Sequence, residues 1–184
     1  MSTMKLQYNN RTILTPSRDS FVAFVPESTS YKRFMWRFDG NVGSSSGFQM
    51  SRIKINSETL PYTYVTYGAN FSNWSNTQIP QNMVKSEDSV SGNNEKWGGN
   101  ANSSSGYGWI IFDLATNVVP TKYSLMTAGD TAQYTNRNPK RIRLYASTGT
   151  PTTFDDSSWV LLDDRSNALP SSNHVWTQFT LNKV

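Results

Sequence analysis

Few residues in this 184-residue chain can do chemistry, and their types exclude more than they allow. There is no cysteine, so disulfides, thiolate metal sites and cysteine nucleophiles are all ruled out. The single histidine, His174, falls in a turn; it has no Gly-x-Ser-x-Gly elbow to serve and cannot build a zinc site without cysteines. The carboxylate pairs Asp155/Asp156 and Asp163/Asp164 are adjacent in sequence and point different ways, whereas a glycosidase needs two carboxyls converging across a cleft. The chain is therefore not expected to be an enzyme. Two stretches suit binding better. GANFSNWSNTQIP carries Asn70 and Trp74, a tryptophan with no apolar neighbours at strand spacing. It is either a flat platform for a sugar ring, with amides supplying hydrogen bonds, or a lid folded back onto the body. GDTAQYTNRNPK (129–140) carries Asp130, Gln133, Tyr134, Asn136, Arg137 and Asn138 between two strand patterns, so its ends are fixed while its middle presents side chains.

The elements that must position these loops read as strands. GYGWIIFDL (106–114) puts Trp109, Ile111 and Asp113 on one face and Ile110, Phe112 and Leu114 on the other, a core strand apolar on both sides. TKYSLMTA (121–128) and RIRLYAS (141–147) flank the long polar loop and alternate in steps of two. YKRFMWRF (31–38) places Phe34, Trp36 and Phe38 opposite Arg33, Met35 and Arg37. FQMSRIKI (48–55) slips phase between Met50 and Ile53, which predicts a β-bulge near Ser51 and Arg52. YTYVTY (62–67), SWVLLDD (158–164) and VWTQFTL (175–181) complete the set, and NEKWGGNANSSSGYG (94–108) reads as a flexible loop. No stripe of period 3.6 appears in the stretch around 106–147, so the expected class is all-β.

The succession WIIFDL, KYSLMTAGD and RNPKRIRLYAS resembles the middle of a discoidin-like domain, also called the coagulation-factor 5/8 type C or galactose-binding-like domain. The resemblance covers about half of the chain well and most of it loosely. It implies a jelly-roll β-sandwich whose loops at one end bind sugars, lipid headgroups or protein partners. YKRFMWRF followed by FQMSRIKI resembles the hairpin that normally closes such a domain, yet here it comes first. The chain thus looks circularly permuted, which is tolerable because sandwich termini lie close together. In related fucose-binding lectins the loop equivalent to 129–140 supplies an arginine to sugar hydroxyls, and Arg137 and Asp130 match it. A sugar site would use Arg137 as a fork of donors, Asn136 or Asn138 as two-way hydrogen-bonders, and Tyr134 or Trp74 as a stacking plate. Alternatively, Asp130 and Arg137 pair and hold the loop's shape. Many family members hold a structural calcium with a glutamate in the closing strand and an Asp-Gly-Asn/Asp turn ahead of the tryptophan matching Trp97. Here the glutamate position is Arg52 and the turn reads SVSGNNEKW, so neither metal nor cofactor is expected, although Asp88, Asn93 and Asn94 leave material for a weak site.

Composition fits a loop-rich β protein of one domain: 36% hydrophobic and 16% charged residues, with a formal net charge of +4. The basic residues are scattered. Arg141 and Arg143 share the outward side of a strand whose inward side is Ile142, Leu144 and Ala146, so a solvated sheet face is expected rather than a nucleic-acid surface. No segment approaches the roughly eighteen apolar residues of a membrane span. MSTMKLQYNN has no apolar run of signal-peptide length, so the expected setting is extracellular after removal of a leader, or the surface of a virion. Residues 1–28, with KLQY, RTIL and FVAFV, read as an attachment or oligomerisation arm or as strands covering a sheet edge, ahead of a sandwich over 29–184. The expected function is a non-catalytic carbohydrate-binding or adhesion module recognising a glycan or cell-surface polysaccharide. The alternative is a virion structural protein, a capsid decoration or tail component, using the sandwich for assembly.

Overall fold

A computed structural model describes residues 29–43, 47–86, 94–101 and 105–181, and the backbone of a short ladder near the N-terminus. That ladder pairs β1 (Gln7–Tyr8) with β2 (Arg11–Thr12), within the KLQY and RTIL segments; FVAFV lies outside the described residues. The remaining strands are β3 (Tyr31–Asn41), β4 (Phe48–Met50), β5 (Arg52–Ile55), β6 (Thr63–Ala69), β7 (Trp97–Gly99), β8 (Tyr107–Val118), β9 (Lys122–Met126), β10 (Pro139–Ser147), β11 (Val160–Ser166) and β12 (Trp176–Thr180). The described residues contain no α-helix, and so no helix long and apolar enough to cross a membrane. The described residues form an all-β structure in which every strand pairing is antiparallel.

A five-stranded sheet runs β11-β10-β3-β8-β6, and a three-stranded sheet runs β12-β9-β5. Strand alternation explains how they meet. On β3, Phe34, Trp36 and Phe38 are fully buried, and the ladder sets each in a row with its neighbours. Trp36 lies opposite Ile110 and Leu144, and Phe34 opposite Phe112 and Ala146. Ile53 and Ile55 of β5, Tyr123 and Leu125 of β9 and Phe179 of β12 join them in one cluster, so the two sheets share a single core. Phe38 stands opposite Gly108, where a Cβ would meet Trp97 at 2.7 Å and the Phe38 ring at 2.8 Å. Only glycine leaves room there for both rings.

The outer face of the large sheet is ion-paired. Arg33 forks onto Asp113, its ladder partner, at 2.8 Å through both nitrogens. Asp39 accepts from Arg37 at 2.7 Å and also from Arg143, while Arg141 pairs with Asp164. Burial alone would raise the Asp39 pKa, yet the hydrogen bonds from Arg37 and Arg143 hold it below the usual carboxylate value. The basic stretch at 141–143 is thus met by carboxylates across the sheet. Part of this face is covered: Arg33 donates to the Pro151 carbonyl at 3.2 Å, and the Arg37 guanidinium lies 4.3 Å over Phe154. Met35 and Ile111, which alternation sends outward, are fully buried.

Two details differ from the sequence reading. The phase slip after Met50 is not a bulge within one strand but a change of partner: β4 pairs with β7, and β5 pairs with β9. The stretch expected to be a flexible loop contains β7, whose Trp97 is fully buried. Because Phe38 stacks on Phe48 at 3.7 Å and edges against Trp97 at 5.8 Å, it bridges the large sheet and the β4/β7 ribbon. Phe38→Ala should cost about 3–5 kcal/mol of unfolding free energy, measured by urea denaturation.

Candidate functional site

The β4/β7 ribbon is a plate with two unlike faces. Phe48 and Met50 of β4 and Trp97 of β7 point into the core, all fully buried. The period of two then turns Gly47, Gln49, Lys96 and Gly98 to the opposite side, with Gln49 directly across from Gly98. Trp74 lies on that side. A Cβ on Gly47 would meet its ring at 2.5 Å, and one on Gly98 at 2.7 Å. The two glycines are what let an indole rest against the ribbon.

The chain around Trp74 is fastened to the same ribbon. Asn73 bridges Gly99, and its Oδ1 accepts from Trp97 Nε1 at 3.0 Å. The Trp74 amide donates to the Gly98 carbonyl at 3.0 Å, and its Nε1 donates to Asn100 Oδ1 at 2.6 Å. This tryptophan is therefore held at both its backbone and its ring nitrogen. It packs back on the body while its ring stays half-buried.

Lys96 and Asp130 tie the plate to the loop after β9. Lys96 Nζ donates to both carboxylate oxygens of Asp130, at 2.6 and 2.7 Å, and to Gln49 Oε1 at 2.9 Å. Both charged residues are buried. Burial pulls the Lys96 pKa below its ordinary value, against the opposing influence of Asp130. The loop then coils tightly: Tyr134 N donates to the Asp130 carbonyl at 3.0 Å and Arg137 N to the Tyr134 carbonyl at 3.1 Å, with a 3₁₀ turn over Thr135–Arg137. Residues three apart in such a turn share a side. The Arg137 guanidinium accordingly lies 3.7 Å over the Tyr134 ring, and it also lies 4.6 Å over Trp74.

The Arg137 side chain keeps 24% of its accessible surface. Among the described residues it makes no hydrogen bond; its nearest carboxylate oxygen, Asp130 Oδ2, is 3.9 Å away, beyond hydrogen-bonding reach. Asp130 is engaged chiefly by Lys96, so the expected Asp130–Arg137 pair is present only as this longer contact. Stacking, worth about 0.5–2 kcal/mol per ring, orients the guanidinium and leaves its N–H edges unspent.

The other sequence candidates divide. Asn136 is exposed, with its Cβ against Gly43. Asn138 is buried and built into the framework: its Nδ2 donates to the Pro170 carbonyl at 2.9 Å, and its carbonyl accepts from Val42 N. Asn70 clasps the segment before β8, donating to Ser105 O and accepting from Tyr107 N, each at 2.7 Å. Lys96, Gln49, Gly47 and Gly98 were missed by sequence reasoning. The available signal was K-W-G-G, an aromatic followed by two glycines at strand spacing, which marks close approach by another group.

Arg52 is fully buried at the position where the resemblance places a calcium ligand. Its guanidinium donates to the carbonyl oxygens of Ser51 at 3.0 Å, Glu95 at 2.9 Å and Ser86 at 3.3 Å. A fixed organic cation thus serves carbonyl oxygens that converge there. Asp88 and Asn93 lie outside the described residues, and Asn94 Oδ1 accepts from Gln78 Nε2. Among the described residues, no three His, Asp or Glu side chains assemble to hold a metal ion. His174 sits at φ 49° beside Ala128, its amide donating to the Ala128 carbonyl; burial first, then the nearby Arg52 charge, lower its pKa.

No family model, curated protein or solved structure matches this chain.

Lys96→Met should leave the Asp130 carboxylate buried without its partner and cost about 3–5 kcal/mol. The double variant Lys96→Met/Asp130→Leu should recover most of that loss. Chemical denaturation of the three proteins checks this, and equal stability of wild type and Lys96→Met would contradict the arrangement.

Proposed function

We propose that this chain is a non-catalytic carbohydrate-binding or adhesion module, a circularly permuted discoidin-like jelly roll that recognises glycans with the loops around Arg137. The observation that carries this reading is the oriented but unspent guanidinium. Stacking on Tyr134 and Trp74 removes its rotational freedom before any ligand arrives, and its planar donor fork suits vicinal hydroxyls or other paired oxygens. Trp74 and Tyr134 add apolar ring surface of the kind against which the C–H faces of a pyranose pack. Asn136, exposed one residue before Arg137, adds an amide that can both donate and accept. The five- and three-stranded antiparallel sheets around one core suit the jelly-roll assignment.

The carboxylates give no comparable support for catalysis. Asp113, Asp39 and Asp164 are each bound to arginines on the outer sheet face, and Asp163 to Arg165. Asp130 is spent on Lys96.

A glycan array is the direct test. Binding by the wild type should fall roughly tenfold or more on Arg137→Ala and on Trp74→Ala, each removing one part of the site. Binding that survives both substitutions would place recognition elsewhere.

A second reading, a virion component that uses the sandwich for assembly, is favoured by the N-terminal segment, where, among the described residues, β1 pairs with β2 and with neither main sheet. Light scattering coupled to size exclusion separates the two. Under the assembly reading, a defined oligomer should collapse to monomer on deletion of residues 1–28, whereas the glycan-binding reading expects truncation to leave sugar affinity intact.

A further inference from the structure

Building on the reading of this cluster as a sugar site, we infer that its ligand is an acidic saccharide, a uronic acid whose carboxylate docks on Arg137, rather than a neutral sugar. The argument is one of charge left over. Lys96 and Asp130 cancel, because the ammonium meets both carboxylate oxygens at 2.6 and 2.7 Å. Asp130 is the only carboxylate within salt-bridge distance of Arg137 among the described residues, and at 3.9 Å it makes no hydrogen bond to the guanidinium. Arg137 therefore carries a charge that its own surroundings do not neutralise, in a place where two rings have stripped part of its water.

A neutral hydroxyl would accept one hydrogen bond from the fork and leave the charge as it was. A carboxylate accepts two parallel N–H bonds and neutralises it, and such charge-assisted, bidentate pairs are both stronger and more directional. The stacked rings limit how the guanidinium can turn, so the carboxylate must arrive edge-on. That constraint favours a planar anion set on a ring, with the ring's apolar face free to lie against Trp74 or Tyr134.

The test compares polygalacturonate with its carboxyl-reduced, neutral form by calorimetry or affinity electrophoresis. It is run at about 0.15 M salt, so that general attraction of the basic chain to a polyanion is screened. The wild type should retain the acidic polymer and bind the reduced one roughly tenfold or more weakly. Arg137→Ala should lose the acidic polymer by a similar factor. Arg137→Lys, which keeps the charge without the fork and guards against misfolding of the alanine variant, should also weaken it. Lys140→Ala removes the same charge from an exposed position in the neighbouring strand and should leave binding within about twofold. Equal binding of both polymers, still abolished by Arg137→Ala, would overturn the acidic specificity and leave the glycan-binding reading standing. Equal losses in Arg137→Ala and Lys140→Ala would overturn it as general polyanion attraction. Retention of neither polymer, together with an empty glycan array, would remove both readings.

Discussion

The structure turns on a three-residue ladder, β4 against β7, whose two faces do different work. Its inner face supplies Phe48, Met50 and Trp97 to an aromatic knot with Trp36 and Phe38, and that knot sets the ladder's position against the large sheet. Its outer face carries Gln49, Lys96, Gly47 and Gly98, so the packing that positions the core also positions the site. Close-packed interiors transmit displacement rather than absorb it, and here the distance from core to surface is a single strand's thickness. Trp74 and Asp130 are held by Gly98 and Lys96, each one residue from the buried Trp97.

Two internal cations illustrate different solutions to the same cost. A charge taken out of water must be compensated in place. Lys96 meets a carboxylate and an amide oxygen, so its partner is another ionisable group. Arg52 meets backbone carbonyls of segments far apart in sequence, Ser86 and Glu95, and lies 3.7 Å from the Glu95 carboxylate, so it ties loops together mainly through the backbone. The first arrangement is a buried ion pair that joins the ribbon to the loop after β9; the second is chiefly a tie between backbone segments.

The sheet strands were legible because each carries a long alternation with one strongly apolar face. Phe34, Trp36 and Phe38, or Ile142, Leu144 and Ala146, cannot be placed any other way. The site was half legible. Trp74 stood out because it lacks apolar neighbours, and Arg137 because it sits in a polar loop pinned by two core strands, but their meeting depends on contacts of long sequence separation that no local pattern encodes. β7 escaped notice because three residues, two of them glycine, offer no alternation to read, and glycine ordinarily weakens a strand. The supposed bulge at Ser51 failed for a related reason: a phase slip within one strand and a change of partner sheet leave the same mark in sequence. Asn138 and Asn70 show the limit of residue type as a guide, because an amide able to bind a sugar binds a carbonyl equally well.

The bare backbone at Gly47 and Gly98 has a bearing on how such a protein could change over generations. The indole rests on two positions where any side chain intrudes, whereas the guanidinium above it is held by contacts that other flat or cationic groups could make. The upper residues are therefore free to drift while the floor beneath stays invariant, and relatives of this chain should be recognised first by that pair of missing side chains rather than by the groups stacked above them.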